Sequence, residues 1–404
     1  MKFLQKMLKP TAGPRPQHAP MSHLMPLLPP TWTPATFTHL VRQGYMKNVI
    51  VYRCIQLIVQ GISSVPWLCE PPENSSSAGP NSGPFSYLAP LLAQPNPYQS
   101  WSAFIADVTL HLLLSGNAFI KVARTPAGEP MAFYTLNPSR VSIRVQNNEQ
   151  VYEVYNGQQT ERLHRYGASA GILHIKYQHP LHDTQGLSPL EVGRASIDQH
   201  NAVAAHNLSL LQNGGRPSGA LVWKQKDFPI TEEQRDQLRQ QLATSVEGAA
   251  NAGRVLVMEG DFEWREMGLS PKDLDFSEGR HVAAREIAMC FGVPPLLAGV
   301  PGEATYSNYK EARLHLWEET LLPLLHFLQQ EFALYFNADE TPAQAVSFTY
   351  NANAIPALVQ KRQALWEKME RATFLTTNEK RRALGYPPVE GGDECIGGNH
   401  VANS

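Results

Sequence analysis

The chain has 404 residues, of which 43% are hydrophobic and 17% are charged, and its formal net charge is −2. This length predicts two or more domains, and a charged share below the usual ~25% favours surface that is buried between copies of the chain. The charge balance argues against tight, static binding of nucleic acid, which needs an excess of Lys and Arg to neutralise phosphates. It is compatible with transient passage of DNA.

The sequence shows no sign of a membrane segment or of an oxidising compartment. No stretch reaches the ~20 uninterrupted apolar residues of a membrane span, and prolines interrupt the segment that would form a signal-peptide core. The cysteines form no CxxC pair and have no metal-ligand spacing, so we expect free thiols in a soluble protein made in the cytoplasm. They are Cys54, Cys69, Cys290 and Cys395.

The first folded region, residues 37–187, is predicted to be α+β. Residues 1–36 hold eight prolines and predict a disordered tail. A largely buried helix over 47–60 is expected to stop at Gly61, and Ser100 is expected to cap a helix over 100–114. Hydrophobic runs bounded by turn residues predict strands over 65–69, 118–124, 130–136, 141–145, 151–155 and 172–177.

Two long helices are predicted on either side of a small inserted module. The first helix covers 188–213, because Ser188 and Glu191 form a capping box around Pro189. The second covers 270–292, and its apolar residues lie on one face. The module between them, 214–269, is expected to contain a helix over 232–246 and strands over 219–223, 254–258 and 262–267.

The sharpest local signal is the segment 291–299, which reads FGVPPLLAG. Gly292 is expected to end the second long helix, and Pro294 and Pro295 prevent it from restarting. A flexible segment containing Gly299 is expected to follow, and then a third helix from about Asn308 to Phe336 that Pro323 kinks.

The C-terminal part is predicted to be mainly helical. A strand over 345–350 comes first, and a helix over 355–371 follows it. Thr376 and Glu379 are expected to cap a further short helix. Residues 391–404 are expected to be disordered.

Four histidines lie within 19 residues of one another, but their spacing fits no common zinc site, and no cysteine joins them. We expect polar strand and loop histidines and no bound metal. They are His164, His174, His179 and His182.

Catalytic motifs are missing from the sequence. It has no GxxxxGK[ST], GxSxG or HExxH segment, which argues against an ATPase, a serine hydrolase of the elbow type and a zinc protease. Glu303 is expected to be a solvated loop carboxylate more than a catalytic acid. We therefore predict no catalytic residues and no cofactor.

Several cations flank the FGVPPLLAG segment and allow two interpretations. They face a polyanion, or they form ordinary helix ion pairs, Arg280 with Glu278, and Lys310 or Arg313 with Glu311 or Glu318. A second basic group lies on the C-terminal helices, where a solvated face or a partner face is expected. The first group is Arg280, Arg285, Lys310, Arg313 and His315, and the second is Lys361, Arg362, Arg371, Lys380, Arg381 and Arg382.

Together these motifs resemble those of the portal proteins of tailed bacteriophages, in the branch of long-tailed phages and gene transfer agents. The resemblance covers about residues 45–395. It rests on motifs that occur in the family's order. They are residues 115–120 (SGNAFI), 174–176 (HIK), 186–190 (GLSPL), 287–297 with the FGVPP signature, 305–308 (TYSN) with Glu311, 320–324 (TLLPL), and 377–379 (TNE) with Arg381 and Gly385.

The resemblance implies a portal-like subunit with named parts. The α+β region 37–187 corresponds to the wing, and the module 214–269 to the clip. The helices 188–213 and 270–292 correspond to the two stem helices. Residues 293–351 correspond to the tunnel loop, the kinked tunnel helix and a wing strand, and residues 352–390 to the helical crown.

The resemblance also implies the function. Such portals form a ring, normally dodecameric, at one capsid vertex of the virion, and double-stranded DNA passes through it. The implied partners are the terminase large subunit, a head–tail adaptor and the major capsid protein. An accessory DNA-processing subunit or an adaptor ring of a phage-like particle is the alternative.

The site residues that follow from this resemblance form four groups. The DNA-facing tunnel loop comprises Val300, Pro301, Gly302, Glu303, Ala304 and Thr305. The loop hinge comprises Gly292, Pro294, Pro295 and Gly299, and the helix kink is at Pro323. The cations that would face the lumen or a partner are Lys310, Arg313, Lys380, Arg381 and Arg382.

Overall fold

The structure, a computed structural model, describes most of the chain. The described residues are 31–70, 84–147, 149–166, 171–212, 219–223, 233, 236–237, 240, 262–266, 276–302, 306–338, 345–351, 355–384, 386 and 388–393. Thr33–Ser404 forms one compact unit that is distinct from Met1–Trp32. Most of both predicted tails, the predicted strand over 254–258 and most of the predicted helix over 232–246 lie outside the described residues.

The folded part of the chain begins a few residues before the predicted tail boundary at residue 36, and the N-terminal helices follow directly after it. Thr33 already belongs to the fold, because its backbone N and its Oγ1 donate to the carboxylate of Asp198 at 2.7 and 2.5 Å. The helices are α1 (Phe37–Leu40) with a π-helical turn (Val41–Tyr45), α2 (Val49–Ser63), α3 (Pro84–Ala93) and α4 (Trp101–Ser115). Ser100 caps α4 as predicted.

Gly61 does not end α2, so that prediction is wrong. The helix continues to Ser63. A Cβ atom at position 61 would lie 2.6 Å from Leu321 Cδ1, so the glycine is needed for close packing of a neighbouring helix.

Among the described residues, every strand pair is antiparallel. The strands are β1 (Trp67–Glu70), β2 (Asn117–Arg124), β3 (Pro130–Leu136), β4 (Val141–Gln146), β5 (Glu149–Asn156), β6 (Gln159–His164), β7 (Ile172–Lys176), β8 (Gly219–Trp223), β9 (Phe262–Glu266) and β10 (Ser347–Tyr350). They form sheets of order β3-β2-β7 and β4-β5-β6 and the pairs β1-β10 and β8-β9. The predicted strands over 118–124 and 130–136 are confirmed as β2 and β3, which pair with each other, whereas β6 was not predicted, because its sequence QTERLH is largely polar.

The first long helix is divided at Gly193 into α5 (Pro189–Val192) and α6 (Arg194–Gln212). Ser188 Oγ accepts from Glu191 N at 2.9 Å, which confirms the Ser188 half of the predicted capping box. The second long helix is described as α7 (Phe276–Cys290), which packs against α6. The module between α6 and α7 is described mainly through the β8–β9 pair.

The third predicted helix has three parts. They are α8 (Tyr306–His315), a π-helical segment (Leu316–Leu321) and α9 (Leu322–Phe336). The C-terminal helices are α10 (Val359–Arg371), preceded by a 3-10 turn (Pro356–Leu358), and α11 (Thr377–Ala383). The capping box between Thr376 and Glu379 is present at α11 as predicted.

One large hydrophobic core joins α2, α4, α7, α9 and the β2 sheet. Its aromatic part surrounds Phe332, which is 1% exposed and contacts Trp67, Trp101 and Phe348 edge-on at centroid distances of 5.4 to 6.1 Å. A smaller cluster around Tyr152 lies under the β4-β5-β6 sheet. In the parts of the chain that the structure describes, no helix has both the length and the apolar composition to cross a bilayer.

Candidate functional site

The segment 291–300 follows α7, and we call it the joint. Hydrogen bonds end α7 at the helix stop that the sequence predicts. Gly292 has a φ of +64°. Its N–H donates to Met289 O, and Val293 N–H donates to Ala288 O, both at 2.9 Å. This pair of bonds is a Schellman motif, which satisfies the last carbonyls of a helix and needs a residue that tolerates the left-handed conformation. The helix therefore ends at a glycine because its own last turn requires a residue with positive φ.

The same pattern recurs immediately after the two prolines. Val300 N donates to Pro295 O at 3.0 Å and Gly299 N donates to Leu296 O at 3.3 Å, while Gly299 has a φ of +84°. Leu297, Ala298 and Val300 are each less than 8% exposed and belong to the main core. The prediction of a flexible segment around Gly299 is therefore wrong up to Val300, and Val300 does not face outward in this subunit.

Three side chains fasten this joint to neighbouring elements. Thr320 Oγ1 in the π segment donates to Gly292 O at 2.5 Å, and Arg53 Nε in α2 donates to Leu297 O at 3.4 Å. Arg285 Nη2 in α7 donates to Pro301 O, also at 3.4 Å. Pro301 and Gly302, which follow the buried Val300, are exposed, whereas Glu303, Ala304 and Thr305 lie outside the described residues.

Pro323 lies directly after the π-helical segment, within the first turn of α9. Proline cannot donate to the carbonyl four residues earlier, and its ring clashes with that carbonyl. A π-helical turn accommodates such an interruption. The irregularity that the sequence predicts at Pro323 thus takes the form of a wider helical turn ahead of it.

Two glycines and Asn117 form a compact junction between α4, β2 and the segment before α5. Gly116 has a φ of +73°, and its O accepts from Tyr177 N at 2.9 Å. A Cβ atom on Gly186 would lie 2.0 Å from Gly116 O, so the two backbones touch. Asn117 Oδ1 accepts from Gly186 N at 2.8 Å and its Nδ2 donates to Ser115 O at 2.8 Å.

His174 completes this junction. The sequence analysis treats it as a polar strand histidine and does not predict this role. Its Nε2 lies 3.0 Å from Asn117 Oδ1 and its Nδ1 lies 3.2 Å from the Tyr152 hydroxyl. Because Asn117 Oδ1 only accepts, Nε2 carries a proton. Burial, and then the charges of Arg165 and Lys176, lower the pKa of His174 to about 3. The residue is a structural member of the core and is unavailable to a metal.

Acidification is expected to destabilise the fold through His174. Its pKa is about 3 in the folded state and near 6.5 in an unfolded chain. The unfolded state therefore binds more protons between these values, and the contribution to stability, complete above pH 6.5, is lost as pH falls through this window. At pH 4.5 the loss relative to pH 7 is about 2–3 kcal/mol.

Urea unfolding at both pH values measures this loss. In a His174→Gln variant we expect lower stability at pH 7 and a flatter dependence on pH. An unchanged pH dependence in that variant would contradict the assignment.

The other histidines of the predicted cluster do not converge on His174. His179 Nδ1 accepts from the backbone N of Leu181 and His182 at 3.0 and 3.1 Å, so it closes a loop turn. Among the described residues, no group of three or more His, Cys, Asp or Glu side chains is placed to hold a metal ion.

The cations that flank the joint do not all form the predicted ion pairs with nearby glutamates. Arg280 does not pair with Glu278: its Nε lies 3.3 Å from His200 Nε2, and Arg285 Nη1 lies 3.7 Å from Glu278 Oε1 instead. Lys361 bonds Glu318, which joins α10 to the π segment. Arg381 lies over the Tyr386 ring at 5.7 Å. Lys310, Arg313 and Arg382 are exposed, and Lys380 is half-buried.

Comparisons with known proteins agree with this arrangement. The family model described as phage portal protein matches residues 49–385. A protein of Rickettsia bellii is 38% identical over 357 residues, which are 87% of this chain and 89% of that protein. The portal protein of Enterobacteria phage HK97 is 24% identical over 354 residues, which are 86% of this chain and 80% of that protein.

The fold agrees with a solved structure as well. A chain from the neck of a native gene transfer agent particle, computed with C12 symmetry, has a TM-score of 0.65 and 34% identity, covering 89% of this chain and 96% of that one. Since the family match spans far more than half of the sequence, this chain belongs to the phage portal protein family.

Proposed function

We propose that this chain is the subunit of a closed ring at one vertex of a capsid-like particle, and that double-stranded DNA enters and leaves through its centre. The observation that carries the proposal is the likeness, over 89% of the chain, to a chain of a particle neck computed with C12 symmetry. In this proposal the ring is dodecameric and acts in the virion as a conduit, without catalysis of its own.

The parts of the subunit are assigned by the same reasoning. Residues 37–187 and β10 form the wing, and the module 214–269 forms the clip. Residues 188–213 and 270–292 form the stem, a role supported by the packing of α6 on α7 and by the bond of 2.6 Å from Ser196 Oγ to Glu286 Oε2. The π segment belongs to the tunnel helix, and 352–390 form the crown.

The tunnel loop that faces DNA begins at Pro301 and continues through Thr305. The joint up to Val300 is held in the core and supplies the base of this loop. A formal net charge of −2 suits a channel through which DNA must slide, because each neutralised phosphate adds salt-dependent affinity. Lys310, Arg313 and the group Lys380–Arg382 supply local cations for the lumen or for a partner.

In this proposal the ring does not drive DNA packaging itself. The terminase large subunit drives DNA through the ring, the major capsid protein surrounds it, and a head–tail adaptor binds its outer end. Negative-stain images of the purified protein test the central claim. Rings with a central hole support it, and a protein that stays monomeric at all concentrations contradicts it.

Replacing residues 301–304 with four lysines is expected to leave ring assembly intact and to impair packaging. The joint up to Val300 is unchanged, and added cations that bind phosphates are expected to reduce the yield of DNase-protected DNA about tenfold at low salt. The matched control replaces the same residues with four serines, which remove the Glu303 carboxylate as the lysines do but add no cation. Wild-type packaging by the lysine variant would contradict the assignment of the tunnel loop.

A further inference from the structure

An open apolar groove lies beside the joint, between α7 and α8. Its volume is about 760 Å³, and Pro294, Pro295 and Ala312 contribute to its lining. Val282 and Met289, two turns apart on α7, are 44% and 72% exposed there. Exposed apolar surface of this kind in a folded subunit indicates a surface that a partner covers.

The rim of this groove has more acidic than basic side chains. Glu286, Glu311 and Glu319 line it, together with Arg285 and His315. The charge of Arg285 is already shared, because its guanidinium lies 3.7 Å from Glu278 and donates to Pro301 O. The groove therefore favours a partner surface that is apolar at its centre and basic at its edge.

A surface of that chemistry exists at the beginning of α2. Met46, Val49 and Tyr52 are 74%, 64% and 51% exposed. Val49 and Tyr52, three residues apart, lie on one side of α2, and Met46 lies in the turn that precedes the helix. We call these three residues the α2 patch. Its neighbours in sequence include the exposed cations Arg42, Lys47 and Arg53, and the sequence has no Asp or Glu from residue 31 to residue 69.

We propose that the groove of one copy receives the α2 patch of the next copy in the ring. A cyclic assembly uses a heterologous interface, in which each subunit presents two different and complementary surfaces. The apolar groove with its acidic rim and the apolar α2 patch with its basic neighbours meet that requirement. This inference rests on the ring proposed above, and it identifies the surfaces that hold the ring together.

Disulfide trapping tests the contact between copies. We expect Val49→Cys combined with Met289→Cys, in a background with Cys69, Cys290 and Cys395 replaced by serine, to give a ladder of covalent oligomers on oxidation. A disulfide forms only where Cα atoms approach within about 7 Å. The matched control pairs Met289→Cys with Tyr98→Cys, since Tyr98 is 87% exposed but lies outside the patch.

The outcomes separate this inference from the proposed function. Rings in negative stain without a 49–289 ladder, or an equal ladder from the control pair, would overturn the inference and leave the proposed ring standing. A protein that forms no rings would overturn both the inference and the proposed function.

Charge exchange gives a second readout: Glu311→Lys and Lys47→Glu are each expected to reduce ring yield several-fold, and the double variant is expected to recover it. A double variant as defective as the single ones would contradict the pairing of the rim with the α2 region.

Discussion

Replacing Gly186 with alanine is expected to prevent stable folding. The added Cβ atom would lie 2.0 Å from Gly116 O and 2.9 Å from Tyr177 N, which are both backbone atoms. No side chain can rotate away to relieve this contact, so β2, β7 and the segment before α5 would have to separate. They would lose the bonds from Gly186 N to Asn117 and from Tyr177 N to Gly116 O. We expect a loss of about 4 kcal/mol or more.

The control for this variant is Gly157→Ala. Gly157 has a φ of +66°, but a Cβ atom there would meet nothing within 4 Å. Only backbone strain of about 1–2 kcal/mol is then expected. Soluble yield and melting temperature, compared at one protomer concentration, measure both effects. Similar melting temperatures for the two variants would show that the backbone contact at the junction is not needed.

Replacing Gly292 with alanine is expected to be the second most damaging change. Its φ of +64° imposes strain on any residue with a Cβ atom, and that atom would lie 2.7 Å from Thr320 Oγ1. The Thr320 hydroxyl also donates to Gly292 O, so the clash acts against the bond that fastens the joint to the π segment. Strain and clash together are expected to cost about 3 kcal/mol.

Gly299 provides the matched control for Gly292. Its φ is +84°, yet a Cβ atom there has nothing within 4 Å. Gly299→Ala therefore measures the strain alone, about 1–2 kcal/mol. In a Gly292→Ala background, Thr320→Ala is expected to restore part of the lost melting temperature, because neighbouring changes are not additive. Equal losses for Gly292→Ala and Gly299→Ala would exclude a role for the Thr320 contact.

Helix caps and helix ends can be predicted from the sequence, because they depend on residues within one turn of each other. The caps at Ser100, Ser188 and Thr376 follow from side chains that reach backbone N–H groups within three residues. Gly292 is required by its own helix end in the same way. These signals act within one turn of backbone, so a single sequence is enough to read them.

Contacts between distant residues could not be predicted in the same way. Asn117 meets His174 and Gly186 across 57 and 69 positions, and no spacing rule joins them. Gly61 was interpreted as a helix stop because its partner, Leu321, is remote in sequence. Gly299 was interpreted as a source of flexibility because burial of Val300 is decided by the core and not by the loop itself. Glycine has several uses, and only the tertiary structure distinguishes them.

The pairing of β1 with β10 has a consequence for synthesis. Thr349 Oγ1 donates to Glu70 Oε1 across 279 positions of sequence, and Trp67 contacts Phe332 and Phe348 in the core. The two strands are therefore synthesised far apart in time. Trp67 can pack on Trp101 early, but its contacts with Phe332 and Phe348 form only late, and contacts of such long range fold slowly. A chain cut short before residue 345 would lack β10 and Phe348, so we expect it to leave β1 unpaired and one side of Trp67 exposed, and to aggregate instead of assembling.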